Sequence, residues 1–325
     1  MKWYENVVNV CVGVQPGERI LLITDQALSK EQDQLAKTIE AIGPAELRRW
    51  TLPENERPLK VAPPEILECA RTFDAGIQFL SYTSTEEQPY RFSLVQATAD
   101  GSKMRFGVGL NIDQAIFDNE LMADYQEVAD ITHKLYDFLQ GRSDVHITSP
   151  LGTDLKLSIK GRQVAVDPGV MRTPGFRNLP SGECYVAPIE NSANGLLVID
   201  KSFPGILIKE PIHLTFEKGR VVNVAGGAEA KQLLEVITDA ETKPHGEGSR
   251  TIAELGIGTN PYARITGNVM TDEKVMGTIH IAIGHNAVPP YNGKNHAPIH
   301  LDGVMGSPTV TVDGAPLIDN GTYLI

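Results

Sequence analysis

The sequence predicts two domains: an N-terminal α/β domain with a parallel sheet over residues 1–141, and a β-rich α+β domain over 142–325. Three observations predict it. The chain has 325 residues, and at roughly 100 to 200 residues per domain that length suits two cores. Its first part alternates short apolar runs with stretches of helical period, as βα units do. After Gly141 the pattern changes to short strands punctuated by glycine and proline, with one clear helical stretch.

In order along the chain, Arg19 to Thr24 (RILLIT) is a strand-length apolar run ending at Asp25. Ser29 to Ala41 follows with a helical period and stops at Gly43. Glu46 to Leu52 reads as the second strand, Pro64 to Phe73 as a helix introduced by Pro63 and Pro64, and Ala75 to Ser81 and Arg105 to Gly109 as two more strands. Asn119 to Leu139 carries apolar residues at helical spacing and ends at Gly141. Beyond it, Asp144 to Thr148 and Leu155 to Ile159 flank a Ser-Pro-Leu-Gly turn, and Glu229 to Thr238 is the one clear helix. GxGxxG and Walker patterns are absent, so the βα half alone gives nucleotide binding no support.

Composition narrows the classes of function. Hydrophobic residues are 41% and charged residues 22% of the chain, an ordinary globular profile. Lys and Arg number 29 against 41 Asp and Glu, a formal charge of -12, which argues against nucleic-acid partners and a polybasic membrane surface. No apolar run approaches the roughly 20 residues of a membrane helix, and the N-terminus lacks the continuous apolar centre of a signal peptide, so a cytoplasmic protein is expected. Cys11, Cys69 and Cys184 are odd in number and far apart, so they are read as thiols packed as small hydrophobes.

Strand register picks out the chemistry. In Ala253 to Gly258 (AELGIG), period-two alternation sets Ala253, Leu255 and Ile257 on one face and Glu254 among glycines on the other. In Gly277 to Gly284 (GTIHIAIG) the isoleucines share one face and His280 stands with Thr278, Ala282 and Gly284 opposite. Ile299 to Asp302 (IHLD) puts His300 and Asp302 on one face, and Glu183 to Pro188 (ECYVAP) sets Glu183 opposite Cys184 and Val186. A lone strand Glu or HxD pair is usually a solvated surface feature. Five ionisable groups, each aimed away from an apolar face and toward small neighbours, form the pattern a ligand or metal needs. Glu183, Glu254 and Asp302 supply -3 and the neutral imidazoles of His280 and His300 nothing. One divalent ion leaves -1 and two leave +1, which a bound hydroxide neutralises, so the count favours a dinuclear metal-binding domain. Mixed carboxylate and imidazole donors suit Zn, Co, Mn or Fe rather than Ca.

These residues also resemble a known family, the aminopeptidase T (thermophilic leucyl aminopeptidase) family of metallopeptidases. The matches are Asn178-Leu-Pro-Ser-Gly-Glu183 with Ala187-Pro188 and Ser192-Ala-Asn-Gly195, then Ala253-Glu-Leu-Gly-Ile-Gly-Thr-Asn260, Asp272-Glu-Lys274, Gly277 to Gly284, and Asn295 ahead of Ile299-His-Leu-Asp302. They follow family order through the C-terminal half; the N-terminal half carries little of the resemblance. It implies two divalent ions (Zn, Co or Mg) on Glu183, Glu254, His280, His300 and Asp302, and a cytoplasmic homodimer that removes N-terminal residues from peptides. The family has a Tyr seven residues after the strand His, where this chain has Ala287, leaving His285 or Tyr291 as substitutes.

The same fold is used by the ring-cleaving 2,5-dihydroxypyridine dioxygenases, which resemble the peptidases but hold one Fe(II). There the resemblance implies a His in place of Glu254, no strand His, and a Ser ligand where this chain has Ala282. The expectation is therefore a metallo-aminopeptidase acting on a peptide or small amide, with Glu273 of the Asp-Glu-Lys segment as proton shuttle. An Fe(II) dioxygenase is the alternative, and a non-enzymatic binding protein with a degenerate metal site is a third class.

Overall fold

The computed structural model describes residues 1–325 except 100, 204, 205, 289 and 290, with the side chains of 85, 99 and 206 also outside the description. The chain divides into two compact units, Met1–Ala129 with Asp167–Ser181, and Asp130–Val166 with Gly182–Ile325. They interleave in sequence, the first unit taking up Asp167–Ser181 after the second has begun.

The first unit is built on a five-stranded sheet in the order Glu46–Thr51, Arg19–Thr24, Ala75–Leu80, Arg105–Leu110, Gly175–Asn178, parallel throughout. Central strands buried on both faces read as continuous apolar runs, which is why RILLIT and AGIQFL were legible. Helices Ser29–Ile42 and Pro64–Thr72 stand where their periods predict them. Leu35, Ala36 and Ile39 of the first helix enter a core with Trp3, Val7 and Phe79, while Ile66 and Ala70 of the second enter another with Tyr90, Leu94 and Phe106.

Two helical readings change. The predicted Asn119–Leu139 helix begins at Tyr125. Asp124 starts it by accepting the backbone N–H groups of Gln126 at 3.0 Å and Glu127 at 3.3 Å, and a separate short helix, Gln114–Asp118, precedes it under an Asp113 cap. The helix Gln88–Ala99 went unread because exposed Phe92 blurs its apolar stripe, although Pro89 in the first turn is compatible with a helix start.

The second unit has two sheets. One has eight strands, antiparallel at every junction from Arg220–Ala225 through Ile212–Glu217, Asn194–Ile199, Asp154–Ser158, Asp144–Thr148, Thr309–Val312 and Ala315–Asp319 to Thr322–Tyr323. The other has seven strands, and its centre runs His300–Gly306, Thr278–Gly284, Ile252–Gly258, Glu183–Val186, each antiparallel to the next. Both sheets feed one core, with Ile147, Leu155 and Leu197 from the first and Leu255, Ile257, Ile279, Ile281 and Ile283 from the second. Burying one such side chain contributes about 1.5–3 kcal/mol, so the isoleucine face fixes which way these strands turn their other face. Cys11 and Cys184 are buried free thiols, as the sequence suggests. Among the described residues no helix is long and apolar enough to cross a membrane.

Candidate metal centre

All six residues singled out from the sequence come together on the seven-stranded sheet or at its edge. Cross-strand partners explain the room they have. Glu183 stands opposite Gly258, His280 opposite Gly256, His300 opposite Gly284, and Ala282 lies between Glu254 and Asp302. Each donor thus faces a glycine or an alanine. A Cβ on Gly256 would meet His280 Nε2 at 1.9 Å, so the imidazole lies flat over that glycine. Glu273 arrives differently, at the end of the short helix Val269–Asp272. Asp272 fixes that turn by accepting the N–H groups of Thr266 at 2.7 Å and Gly267 at 2.9 Å, a structural duty that leaves Glu273 and Lys274 for the centre.

Three overlapping groups of donors result: Glu183, Glu254 and His280; Glu254, His300 and Asp302; Glu273, His280 and Asp302, the donor atoms of each lying within 4.8 Å of one another. Glu254 joins the first two. Its Oε1 is 3.3 Å from His280 Nε2 and its Oε2 is 3.1 Å from His300 Nε2. His300 Nε2 is also 3.3 Å from Asp302 Oδ1, and His280 Nε2 is 3.6 Å from Glu183 Oε2. On its other side His300 donates from Nδ1 to the His285 carbonyl at 2.7 Å. A carbonyl only accepts, so the neutral imidazole carries its proton on Nδ1 and turns a lone pair on Nε2 toward the carboxylates.

The chemistry of the pocket fits a cation. Glu183 Oε2 and His280 Nδ1 are buried without a hydrogen-bond partner, and Asp302 Oδ1 has only the 3.3 Å approach of His300 Nε2. A buried polar atom left without a partner costs about 1–3 kcal/mol, a cost that a bound cation relieves at the carboxylate oxygens. Electrostatics say the same. Burial pushes the Glu183 carboxyl up to about 8, with Glu273 adding to the rise against the pull of Lys274. Burial alone would lower His280, but the Glu254 hydrogen bond and the charges of Asp302 and Glu183 outweigh it and raise the imidazole to about 9. His300 moves up likewise: burial lowers it, and Asp302 and Glu254 more than offset that. Glu254 goes the other way. Its burial would raise it, but hydrogen bonds from both imidazoles hold it well below the usual carboxylate range. The carboxylates thus demand positive charge, which a divalent ion supplies by displacing protons.

Sequence reasoning passed over one member. Lys274 was quoted only as part of a motif, yet it is fully buried and its Nζ lies 2.6 Å from Glu183 Oε1 and 2.6 Å from Glu273 Oε1. Of the two substitutes proposed for the missing tyrosine, Tyr291 packs its ring 5.5 Å from that of His300 and 5.4 Å from that of Tyr185. His285 acts through its backbone carbonyl, while its ring accepts the Ala297 N–H at 3.3 Å and packs 5.6 Å from His296.

Comparison with known proteins gives the family and the fold. Residues 119–325 match the family model described as NicX: 2,5-dihydroxypyridine 5,6-dioxygenase. The 2,5-dihydroxypyridine 5,6-dioxygenase of Pseudomonas putida is 29% identical over 180 residues, 50% of this chain and 49% of that one. Aminopeptidase T of Thermus aquaticus is 27% identical over 201 residues, 55% of this chain and 46% of its own. The alignments therefore span about half the length of these curated relatives. Among solved structures, the dioxygenase of P. putida superposes with a TM-score of 0.76 at 17% identity, covering 99% of this chain and 96% of that one. Aminopeptidase T of Thermus thermophilus gives 0.68 at 15% identity, covering 99% and 98%. Both share the α/β plus β-rich fold. The likeness to aminopeptidase T read from the motifs holds for relatives and fold, while the matching family model is the dioxygenase's.

Proposed function

Since this chain belongs to the NicX (2,5-dihydroxypyridine 5,6-dioxygenase) family, we propose that it is a metal-dependent enzyme of that fold, and that its reaction is hydrolysis of an N-terminal peptide bond or a small amide bond. The observation that carries the hydrolytic reading is Glu254, whose two carboxylate oxygens face two different imidazoles, His280 and His300. One carboxylate shared between two donor groups is the arrangement for a pair of ions. Glu183, Glu254 and His280 would hold one, and Glu254, His300 and Asp302 the other. Zn, Co and Mg are the candidate metals, with Zn or Co favoured by the imidazoles. Bound there, such ions supply Lewis acidity, which polarises a carbonyl and lowers the pKa of water from 15.7 to about 7.

The remaining duties fall to side chains. Glu273, with one oxygen on Lys274, is placed beside His280 and Asp302 to take and return a proton. Tyr291 is kept protonated, since burial and the nearby charges of Glu254 and Asp302 push its phenol up, and it walls the His300 side of the centre. The proposal extends to a peptide or small-amide substrate and to a homodimer, which sedimentation of the purified chain would check.

Glu254→Gln and His280→Ala are expected to lose bound metal and turnover of amino-acid anilides together, with the far-UV circular dichroism retained. Normal metal content and turnover in either variant would sink the assignment. A second reading, oxidative cleavage with Fe(II), is favoured by the family model and the P. putida relative. Against it stand Glu254 and Ala282, where resemblance to the dioxygenases implies a His and a Ser. Anilide turnover with Zn or Co under anaerobic conditions supports the hydrolase; iron- and oxygen-dependent consumption of a dihydroxypyridine supports the other.

A further inference from the structure

Lys274 is unusual on physical grounds before any function is considered. A lysine is almost never fully buried unless paired, and this one lies at 0% exposure between two glutamates. Its ammonium claims Oε1 of Glu183 and Oε1 of Glu273, each at 2.6 Å. With no exposure it has no route to a substrate, so it acts through the groups it holds. The two carboxylates it grips belong to the donor groups that contain His280; neither belongs to the group of Glu254, His300 and Asp302. Both of these Lys274 contacts thus fall on the His280-containing groups of the centre.

We propose that Lys274 is a positioning residue for the Glu183–His280 half of the metal centre. By holding Glu183 Oε1 it turns Oε2, which has no hydrogen-bond partner, toward His280 at 3.6 Å. By holding Glu273 Oε1 it fixes that carboxylate beside His280 and Asp302. Two opposite effects compete. Removing a cation from an acidic pocket strengthens attraction for a divalent ion, whereas removing the partner that orients a ligand typically costs 10–100-fold in metal affinity. The orienting effect governs here, because the ammonium contact fixes one oxygen of each carboxylate and no hydrogen bond holds the other oxygen of Glu183.

This inference rests on the metal-centre reading, and the test separates the two. Zn2+ binding to the chelator-stripped full chain is measured by calorimetry for the wild type, Lys274→Gln and Lys274→Met, and the Co2+-loaded chains are compared by visible absorption. Expected is a loss of at least tenfold in affinity for one ion in both variants, the other ion binding as in the wild type, with a changed Co2+ spectrum. A purely structural lysine would lower the melting temperature and leave isotherm and spectrum unchanged, which overturns the proposal. Tighter binding in the variants also overturns it, since Lys274 would then oppose the ion. A wild type that binds no Zn2+ or Co2+ removes the metal reading itself. If both variants fail to fold, Glu273→Gln, which removes charge and keeps shape, must reproduce the weaker binding at the same half or the proposal falls.

Discussion

Gly256 lies directly across the sheet from His280, and the imidazole occupies the space a side chain at 256 would take: a Cβ there would come within 1.9 Å of Nε2. The backbone at 256 is ordinary strand, so the requirement for glycine comes from close packing rather than from φ. Gly256→Ala should leave the strand paired but push His280 off its bearing on Glu254 and Glu183. A displaced ligand is expected to lower metal affinity by about 10-fold or more, as loss of orienting partners does. Calorimetric titration with Zn2+ checks this, and unchanged affinity would mean that His280 is not a ligand.

Metal removal gives the second prediction. Because folding brings the donors of each group within 4.8 Å of one another and leaves Glu183 Oε2 without a hydrogen-bond partner, the folded chain should bind a divalent ion far better than the unfolded chain. Binding at one hundred times Kd adds about 2.7 kcal/mol to the unfolding free energy. Melting temperature should therefore rise with added Zn2+ or Co2+ and fall with a chelator. Glu254→Gln should abolish the dependence, and a wild type whose melting temperature ignores metal concentration would contradict the centre.

Much of this was legible because two periodicities ran together. Ile279, Ile281 and Ile283 declare a buried face, and a strand has only one other face, so His280 and its neighbours had to share it. The same step placed Glu254 and the His300–Asp302 pair. It did not find Lys274, which sits between a helix end and a strand where no period applies, and whose burial depends on carboxylates brought from Glu183 and from its own neighbour. Tyr291 was nameable as a substitute but not placeable, since a loop position carries no register. The Gly175–Asn178 strand went unread for a similar reason: it joins the parallel sheet beside Arg105–Leu110 after a long excursion, and its residues are only half-buried.

The first unit carries its own pH dependence, remote from the metal centre in sequence. Glu87 is buried and takes two hydrogen bonds from Arg57, Nε to Oε1 at 2.8 Å and Nη2 to Oε2 at 2.7 Å. Burial alone would raise its pKa, but Arg57 and the backbone N–H groups of Ser84 and Leu59 outweigh that and lower it from the usual glutamate value. A carboxylate depressed in the folded state contributes stability above its unfolded pKa and loses it as pH falls through the folded value. Wild type should exceed Glu87→Gln in unfolding free energy by about 1.5–3 kcal/mol at neutral pH, the range for hydrogen bonds to a charged group. The gap should begin to shrink as pH falls through about 4.3, the unfolded glutamate value, and close only once pH has passed the lower folded value. Urea unfolding of both chains across that range checks it; a gap that widens in acid would reverse the sign.

Tyr291 supplies the last prediction, because its ring and its hydroxyl are separable. The ring packs 5.5 Å from His300 and 5.4 Å from Tyr185, so it braces an imidazole that already holds the His285 carbonyl through Nδ1. Aromatic contacts of this kind are worth about 0.5–1.5 kcal/mol beyond the area they bury. Tyr291→Ala should therefore loosen His300 and weaken Zn2+ binding by about 2- to 10-fold. Tyr291→Phe keeps the brace and should bind Zn2+ as the wild type does. If the Phe variant loses as much affinity as the Ala variant, the hydroxyl is itself a metal ligand, filling by a loop residue the role that Ala287 leaves open in the strand-proximal position.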